Sequence, residues 1–558
     1  MKQRHLLGLC SVLVLSIVLH SCGSAAKDAV PVPKDAAFVL HLNTKSLNSK
    51  LSWEEIKQTS WFKDAQSTNM NRELSATDSL ARQLMQDPES SGIDTKDEIV
   101  FFVKRINTKE GFFVVGGRVK DAAKFEAFNK KMSDNQAGTA AKEGDITSMS
   151  LNKKVLASWS GNKFLYVIDG NTSAFNPSRG MEDLQFDSSG NVIPPADDEI
   201  ADEDVKPADL KGYTTRLYNL KSDSLLGNDS RYSDLLKTDA DMHFWMNSEQ
   251  IYGSTMPFGV MSMLKLEKYI KGSVTAASLN FDNGKIVMQA KSYSNEEMSN
   301  LAKKYSGDNI NANFLERIPS DSVAALVILN YKPEGLKEFL KIGGLDGMVN
   351  SFMAEIGITL DDFVAANGGD VMFALTDIQM KPYTINLGEG MEPYTTTKPE
   401  MQVLFATSVG NKASFDKLVN IGKKYSQQMR IDTMVFYSLT DKLFAAGSEQ
   451  SIVDQFVKGG NRNQPFASKL KDHPMAAYVD LQRFMRAFGS MARDSSAVEQ
   501  LNASLNFWQD ITMTGGDFKD GGVEQQWEVN LVDKNTNSLK QLNQYADKMA
   551  QASKQRGF

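Results

Sequence analysis

Histidine is a common general base and zinc ligand, and this chain contains few histidines. The 558 residues include five, of which His41, His243 and His473 follow the first 22 residues. None forms a His-x-x-x-His pair with a neighbouring Glu, which is the spacing of a zinc hydrolase. His41 alternates with apolar residues in "VLHLN", which predicts a strand residue that faces solvent or makes a local hydrogen bond. The sequence therefore predicts no metal site and no cofactor.

A serine nucleophile would need a sequence context that this chain lacks. The Gly-x-Ser-x-Gly motif of a strained nucleophile turn is absent. No phosphate loop is present, and "GEGMEP" (388–393) lacks the third glycine of a dinucleotide site. Ser-x-x-Lys spacings occur without the companion motifs of penicillin-binding enzymes, at Ser150/Lys153, Ser262/Lys265, Ser414/Lys417 and Ser468/Lys471. We therefore predict no catalytic residue.

Acidic side chains are concentrated in one segment, residues 172–210, which ends "PPADDEIADEDVKPAD". The segment fails as an EF-hand loop, because Val192 stands where a glycine is needed and Asp198 where a glutamate is needed. We interpret it as a solvated acidic loop. The alternative is a looser calcium cluster of Asp197, Asp198, Glu199, Asp202, Glu203 and Asp204. Paired carboxylates for glycoside hydrolysis have no recognisable spacing, so a hydrolase of envelope polymers or glycans is kept as an alternative function.

The N-terminus carries the most specific motif of the chain. "MKQRHLLGLCSVLVLSIVLHSC" begins with Lys2 and Arg4 and continues with a mostly apolar stretch that ends at Leu19. This stretch is shorter than the ~20 residues that cross a bilayer, so residues 1–21 are predicted to be a secretory signal peptide. Leu19 to Cys22 resembles a bacterial lipobox, which predicts acylation of Cys22. Cleavage near Ala25, with loss of Cys22, is the alternative.

Acyl chains on Cys22 would make residues 22–30 a tether between the membrane and the folded chain. A single acidic residue, Asp28, follows the cysteine within this tether. An acidic cluster at that position would favour export to the cell surface, and a single acidic residue is not a cluster. We therefore predict that the protein is anchored in the outer membrane and faces the periplasm.

Composition limits the classes of partner. The net charge is −7 and no basic block occurs, so nucleic acid is not an expected partner. Cys10 and Cys22 are the only cysteines, which excludes disulfides and cysteine chemistry from the folded part. With 41% hydrophobic residues and this length, the chain is predicted to be globular and to have two or more domains.

Two halves of the sequence repeat the same motifs in the same order. "VPKDAAFVLHLNTKSL" (32–47) returns as "IPSDSVAALVILNYKPEGL" (318–336). Near the end of each half, a hairpin pattern turns at Asn283-Gly284 and at Asp520-Gly521. We interpret the pattern as a tandem duplication of a whole domain. Its parts are half A over 31–306 with the insertion 172–210, a linker over 307–315, half B over 316–550 and a tail over 551–558.

Strand patterns come mostly in hairpin pairs, with amphipathic helices between them. The sequence therefore predicts an α+β fold of two tandem homologous domains, each a mostly antiparallel sheet built from hairpins with helices covering one face. Half B has its own insertion at 377–400, which, like 172–210, is interpreted as a solvated loop with a partner-specific surface as the alternative. The Met-rich segment 256–270 is predicted to be an amphipathic helix that packs on the sheet, with a partner or membrane contact as the alternative.

The lipoprotein signal, the length and the opening "VPKDAAFVLHLNTKSL" resemble a family of uncharacterised Bacteroidota lipoproteins, domain of unknown function 4836. The resemblance spans nearly the whole chain and implies an envelope lipoprotein. Its motifs are strand entries, so it implies no active-site residue. We predict a lipid-anchored, non-enzymatic binding or scaffolding module. Its predicted partners are the membrane, through acyl chains on Cys22, and an envelope protein or glycan.

Overall fold

The computed structural model of the chain separates into two compact units. Unit 1 comprises Met1–Lys45 and Asn71–Thr255, and unit 2 comprises Ser46–Met70 and Met256–Phe558. The residues that the structure describes are 30–67, 87–107, 110–133, 138–171, 185–186, 192–193, 209–252, 265, 267–385, 394–428, 435–491 and 494–554. Among these residues, no helix has the length and apolar character that crossing a bilayer requires.

Unit 1 contains a fully antiparallel sheet. Its strands are β1 (Phe38–Leu42), β2 (Ile99–Arg105), β3 (Glu110–Arg118), β4 (Ala141–Glu143), β5 (Ile146–Ser150), β6 (Val155–Ser160), β7 (Lys163–Asn171) and, after the short pair β8 (Gln185–Phe186) and β9 (Val192–Ile193), β10 (Met242–Asn247). They pair in the order β10-β1-β2-β3-β7-β6-β5-β4. The order places β1 between β2 and β10, inside the sheet rather than at its edge.

Up to Tyr252, the residues that the structure describes contain seven helices. They are α1 (Thr44–Lys50), α2 (Trp53–Gln58), α3 (Ser60–Ser67), α4 (Ala122–Met132), α5 (Leu210–Tyr218), α6 (Ser230–Leu236) and α7 (Ser248–Tyr252), with 3-10 turns at Pro88–Ser91, Ser222–Ser224 and Leu226–Asn228. α2 and α3 belong to unit 2.

The core of unit 1 forms where α4 packs on β6 and β7. Phe125 of α4 is fully buried, and its ring centroid lies 5.4 Å from those of Trp159 and Phe164. Gly92 lets the end of the preceding 3-10 turn lie close to the start of α4, because a Cβ there would lie 2.5 Å from the Asp121 carbonyl oxygen and its φ is +79°. α5 adds a second helical layer over β5 to β7.

The described residues of unit 2 contain ten strands, which pair antiparallel. They are β11 (Val274–Asp282), β12 (Lys285–Tyr293), β13 (Val323–Asn330), β14 (Asn367–Ile385), β15 (Tyr394–Val409), β16 (Phe436–Leu439), β17 (Leu443–Gly447), β18 (Met475–Asp480), β19 (Trp508–Lys519) and β20 (Gly522–Leu531). They pair in the order β11-β12-β20-β19-β18-β13-β14-β15-β17-β16.

Helices cover one face of the central strands of this sheet. The helices that the structure describes after Tyr252 are α8 (Glu267–Ile270), α9 (Glu296–Tyr305), α10 (Ala312–Arg317), α11 (Glu334–Gly343), α12 (Asp346–Ile356), α13 (Leu360–Ala366), α14 (Lys412–Gln428), α15 (Gln450–Lys458), α16 (Ala467–Leu470), α17 (Leu481–Phe488), α18 (Ser495–Leu505) and α19 (Ser538–Lys554), with a 3-10 turn at Gly489–Met491. Phe314 of α10 and Phe456 of α15 pack with Leu326, Ile328 and Met372 in the core cluster of unit 2.

The predicted α+β class is confirmed, and the described strands of each unit pair antiparallel, largely as hairpins. The strand orders also correspond between the predicted halves: β1 lies between β2 and β10, and β13 lies between β14 and β18. The boundaries of halves A and B stay a prediction. The segment 377–400 is less of a loop than its composition predicts, because Gln379 to Ile385 pair with Tyr394 to Glu400 as a continuation of β14 and β15.

The last hairpins of the two predicted halves meet within unit 2. β12 pairs with β20, and Gln289 lies directly opposite Gln526. The Gln289 Nε2 donates a hydrogen bond to the Gln526 Oε1 at 3.3 Å. Each glutamine stands at the same position after its turn glycine, Gly284 or Gly521. The pairing is therefore symmetric about these two equivalent residues, as at the interface of a two-fold dimer.

Candidate functional site

Two of the histidines that were considered as candidate ligands lie close together in unit 1. His41 of β1 and His243 of β10 are directly opposite each other in the antiparallel register, and their ring centroids are 6.0 Å apart. His41 is 7% exposed and His243 is 6% exposed. The expectation that His41 faces solvent is wrong, because β1 is an interior strand and the side of it that carries His41 is buried. The Glu98 carboxylate, from a residue distant in the chain, lies 3.2 Å from His41 Nε2 and accepts a hydrogen bond from this side chain.

The surroundings of the pair lower two pKa values. The hydrogen bond from His41, against the opposing effect of desolvation, lowers the pKa of Glu98. Burial lowers the pKa of His243, although hydrogen bonding to Thr238 partly opposes it. The Nε2 of His243 lies 3.0 Å from the Thr238 carbonyl oxygen and 3.1 Å from its hydroxyl. The imidazole of His243 therefore tends to stay neutral inside the sheet.

Burial limits what the histidine pair can contact. The described residues include no group of three or more His, Cys, Asp or Glu side chains that could hold a metal ion. The Nδ1 atoms of His41 and His243 are buried and have no hydrogen-bond partner among the described atoms. A general base must reach a substrate, and two nearly fully buried rings do not. The pair is part of the structure of unit 1.

The other predicted candidates lie apart from this pair. His473 in unit 2 contacts Asp517, with Nδ1 2.7 Å from Oδ2. Lys417, which the Ser-x-x-Lys spacing places near Ser414, instead forms an ion pair with Asp362 at 2.7 Å. A small pocket in unit 1 carries one carboxylate, Glu143, which is bound to Lys211 at 2.9 Å. A retaining or inverting glycosidase needs two facing carboxylates, and this pocket supplies one that is already paired.

An unexpected feature is a row of apolar side chains on the open face of the unit 2 sheet. Antiparallel residues that lie directly opposite each other point to the same face. The registers join Val327 to Phe373, Phe373 to Phe405, Phe405 to Ala446 and Ala446 to Tyr437. We call these five residues the apolar strip. It crosses five neighbouring strands, from β13 to β16.

The apolar strip is open to solvent along much of its length. Val327 is 45% exposed, Phe373 is 43% exposed and Tyr437 is 36% exposed, whereas Leu326 and Ile328 on the opposite face of β13 are buried. Their neighbours on the same face, two positions along each strand, are also mostly apolar: Ala325, Leu375, Val403, Leu329, Val371, Thr407, Phe444 and Leu439. The surface around the strip therefore offers apolar contact and few hydrogen-bonding groups.

One end of the strip meets a positive charge. The Lys423 Nζ of α14 lies 5.4 Å from the centroid of the Tyr437 ring. Phe444 supports the same end, with ring centroids 5.9 Å from Tyr437 and 5.2 Å from Phe415 of α14. The strip is thus an apolar track with a lysine at one end.

The sequence of these strands is unusually apolar, but its periodicity does not show that one face is exposed. The runs "VAALVILN" and "VMFAL" are apolar at consecutive positions, which is typical of strands buried on both faces. In the structure one face of each run is covered by helices and the other is exposed at Val327 and Phe373.

The family of the chain follows from comparison with known protein families. The family described as "Domain of unknown function (DUF4836)" matches residues 29–178 and 201–485, which is most of the chain. The chain belongs to the DUF4836 family. No curated protein matches it. The structure described as "Structure of crystal form I of TP0453" is similar at a TM-score of 0.23 and 10% identity, over 48% of this chain and 81% of that chain. A likeness this weak carries no functional inference.

Several predictions for this DUF4836 chain fall on parts of the sequence that the structure leaves undescribed. Cys22 and the predicted signal peptide precede the first described residue, so both the signal peptide and lipidation stay predictions. The acidic residues of the calcium alternative, Asp197 to Asp204, lie outside the described residues. Most of the Met-rich segment 256–270 also lies outside the described residues, and its last turn forms α8.

Proposed function

We propose that this protein is a non-enzymatic binding module that is anchored in the cell envelope through acylated Cys22 and binds its partner on the apolar strip. The exposure of Val327, Phe373 and Tyr437 on one sheet face is the observation that carries the proposal. Contiguous apolar surface is unfavourable in water, at roughly 25 cal/mol for each Å² left exposed. Soluble proteins that keep such a surface commonly use it for binding.

A hydrophobic dye tests the binding surface. The mature chain with Cys22→Ser is compared with the same chain carrying Phe373→Glu, and the fluorescence enhancement of anilinonaphthalene sulfonate is measured. A carboxylate in the middle of the strip should reduce dye binding, because burying an ionised group is strongly unfavourable. Circular dichroism checks that the variant remains folded.

Phe352→Glu is the matched control for the dye experiment. Phe352 lies on α12 and is 63% exposed, so it carries an equally large apolar ring outside the strip. We expect this variant to bind the dye like the parent chain. Equal dye binding by all three proteins would contradict the proposed surface.

The anchor is supported by the predicted signal peptide, by the lipobox-like residues before Cys22 and by the absence of other cysteines after it. Two or more acyl chains give stable membrane attachment where one chain is marginal. We expect cells that express the protein to incorporate labelled fatty acid into it, and Cys22→Ala to abolish the label. Label that persists in the variant rules out this anchor. We propose the periplasmic face of the outer membrane, which predicts that protease added to intact cells leaves the protein uncut.

A further inference from the structure

The dimensions of the apolar strip indicate what kind of molecule it accommodates. The strip crosses four inter-strand steps between Val327 and Tyr437. Neighbouring strands are ~4.8 Å apart, so these five residues span ~19 Å, and the same-face register continues beyond Val327 to Ala477 of β18 and Met513 of β19. One acyl chain spans about half of the ~30 Å hydrocarbon core of a bilayer, or ~15 Å. A single extended acyl chain therefore fits the strip lengthwise.

The charge at one end of the strip indicates the head group. The Lys423 Nζ lies beside the Tyr437 ring, and no residue of the strip itself carries a charge. Lys423 is exposed, so an anionic head group could pair with it while remaining in contact with water. An apolar track that ends at an ammonium group is complementary to a chain that ends at a carboxylate.

We propose that the apolar strip binds one long-chain fatty acid, with its hydrocarbon chain along Val327, Phe373, Phe405 and Ala446 and its carboxylate near Lys423. The inference rests on the proposed function of the strip and names its ligand. It assigns the site to a diffusible single-chain lipid, which is distinct from the acyl groups that are predicted on Cys22.

Other ligand classes fit the strip less well. A glycan needs hydrogen bonds for its hydroxyl groups, and burying a hydroxyl without one is unfavourable. Within the strip only the Tyr437 side chain can form such a bond. A peptide that adds a strand would pair with a sheet edge, whereas four of the five residues of the strip lie on interior strands of the sheet. A fatty acid needs neither hydroxyl partners nor a free edge.

The experiment measures the affinity of the Cys22→Ser mature chain for hexadecanoic acid below its aggregation concentration, by displacement of a fluorescent fatty acid. We expect binding that strengthens from octanoic to hexadecanoic acid, because each added methylene is buried in the strip. Phe373→Glu should weaken hexadecanoic acid binding by at least about tenfold, which corresponds to ~1.4 kcal/mol. Phe352→Glu should leave the affinity unchanged.

Lys423→Glu separates the head group from the chain. We expect it to weaken binding of hexadecanoic acid severalfold and to leave binding of hexadecanol unchanged. Equal loss for both ligands would overturn the assignment of the carboxylate to Lys423. Binding to anionic phospholipid vesicles without binding to monomeric hexadecanoic acid would indicate a membrane surface and overturn the fatty-acid site.

The outcomes distinguish this inference from the proposed function. Dye binding that depends on Phe373, without fatty-acid binding, would reject the fatty acid and retain the strip as a binding surface for another partner. Dye and fatty-acid binding that are both insensitive to Phe373→Glu would reject both proposals.

Discussion

At the scale of single residues, the buried histidine pair makes the stability of unit 1 depend on pH. Burial lowers the pKa of His243 from the usual 6.5, so below that pH the unfolded chain binds a proton that the folded chain does not. Folding then becomes less favourable as the pH falls. Glu98 acts in the same direction at lower pH, because its lowered folded pKa gives stability above the ordinary value of 4.5 that is lost when the carboxylate is protonated.

We therefore predict that the thermal unfolding temperature of unit 1 decreases as the pH is lowered from 7 to 5. His243→Gln removes the titrating ring and retains a group that can hydrogen-bond to Thr238. The variant should show a flatter dependence of unfolding temperature on pH, whatever its stability at pH 7. Differential scanning calorimetry at a series of pH values measures the slope. A slope equal to that of the parent chain would show that His243 is not responsible.

The positions of the histidines relative to one another could not be predicted from the sequence. That His41 and His243 lie opposite each other depends on the pairing of β1 with β10, which are separated by about 200 residues in the chain. Local pattern carries no information about such a pairing, and the burial of His41 follows from it.

At the scale of secondary-structure elements, the turn glycines of the two last hairpins offer a matched comparison. Gly284 has a φ of +68°, and a Cβ there would lie 2.5 Å from the Lys534 Cα. Gly521 has a φ of +80° and no atom within 4 Å of its Cβ position. Both conformations disfavour other residues by roughly 1–2 kcal/mol, but only the first also has a steric clash with the backbone.

We predict that Gly284→Ala destabilises unit 2 more than Gly521→Ala does. The second variant should lose about 1 kcal/mol from the strained φ alone, and the first should lose more because the backbone near Lys534 must move. Urea unfolding followed by circular dichroism measures both free energies. Equal losses in the two variants would show that the contact with Lys534 is unimportant.

Element types were largely predictable because local rules determine them. Asn283-Gly284 and Asp520-Gly521 predict two-residue hairpin loops, and the structure pairs β11 with β12 and β19 with β20 around them. The segment 377–400 was harder, because its Thr-, Pro- and Gly-rich composition favours a loop. Cross-strand contacts, such as Lys381 with Glu400 at 2.8 Å, form only after β14 and β15 have paired.

The apolar strip could not be predicted as a site, since its residues come from five separate strands. The sequence of each strand is typical of a buried strand. Which of its side chains are exposed depends on which face the helices cover. Val327 and Ile328 are adjacent and chemically alike, yet one is 45% exposed and the other is fully buried. Helices pack on the face that carries Ile328, and the sequence of β13 alone does not reveal this.

At the scale of the whole molecule, the pairing of β12 with β20 is what a duplicated domain would produce if its two copies once met as a dimer. In an isologous contact, when residue i of one copy lies opposite residue j of the other, residue j of the first copy also lies opposite residue i of the second. Lys285 lies opposite Asn530 and Tyr293 lies opposite Gly522, and both pairs are symmetric about Gln289 and Gln526. We propose that the two halves arose from a single domain that associated through this strand. The proposal explains why the repeated hairpins meet at one register.

A designed disulfide tests this register. Directly opposed antiparallel residues have Cα atoms ~4.5–5.5 Å apart, within the range that a disulfide bridges. We predict that Gln289→Cys with Gln526→Cys, in the mature chain with Cys22→Ser, forms an intramolecular disulfide on air oxidation. The chain then contains no other cysteine. Mass spectrometry of peptides before and after reduction detects the bond.

The control pairs Gln289→Cys with Glu524→Cys, which is displaced by two residues along β20. Diagonal residues of this kind are ~7–8 Å apart, which is too far for an unstrained disulfide. The control should therefore remain reduced under the same conditions. Oxidation of both pairs, or of the control alone, would mean that β12 and β20 slide or pair in another register, and the symmetric contact between the repeats would then be lost.

A shift of one residue would also turn every side chain of β20 to the opposite face, so Trp527 and its apolar neighbours would exchange places with Glu528 and Gln526. The ion pairs of Lys285 with Glu528 and of Lys291 with Glu524, at 3.2 Å and 3.0 Å, oppose that shift.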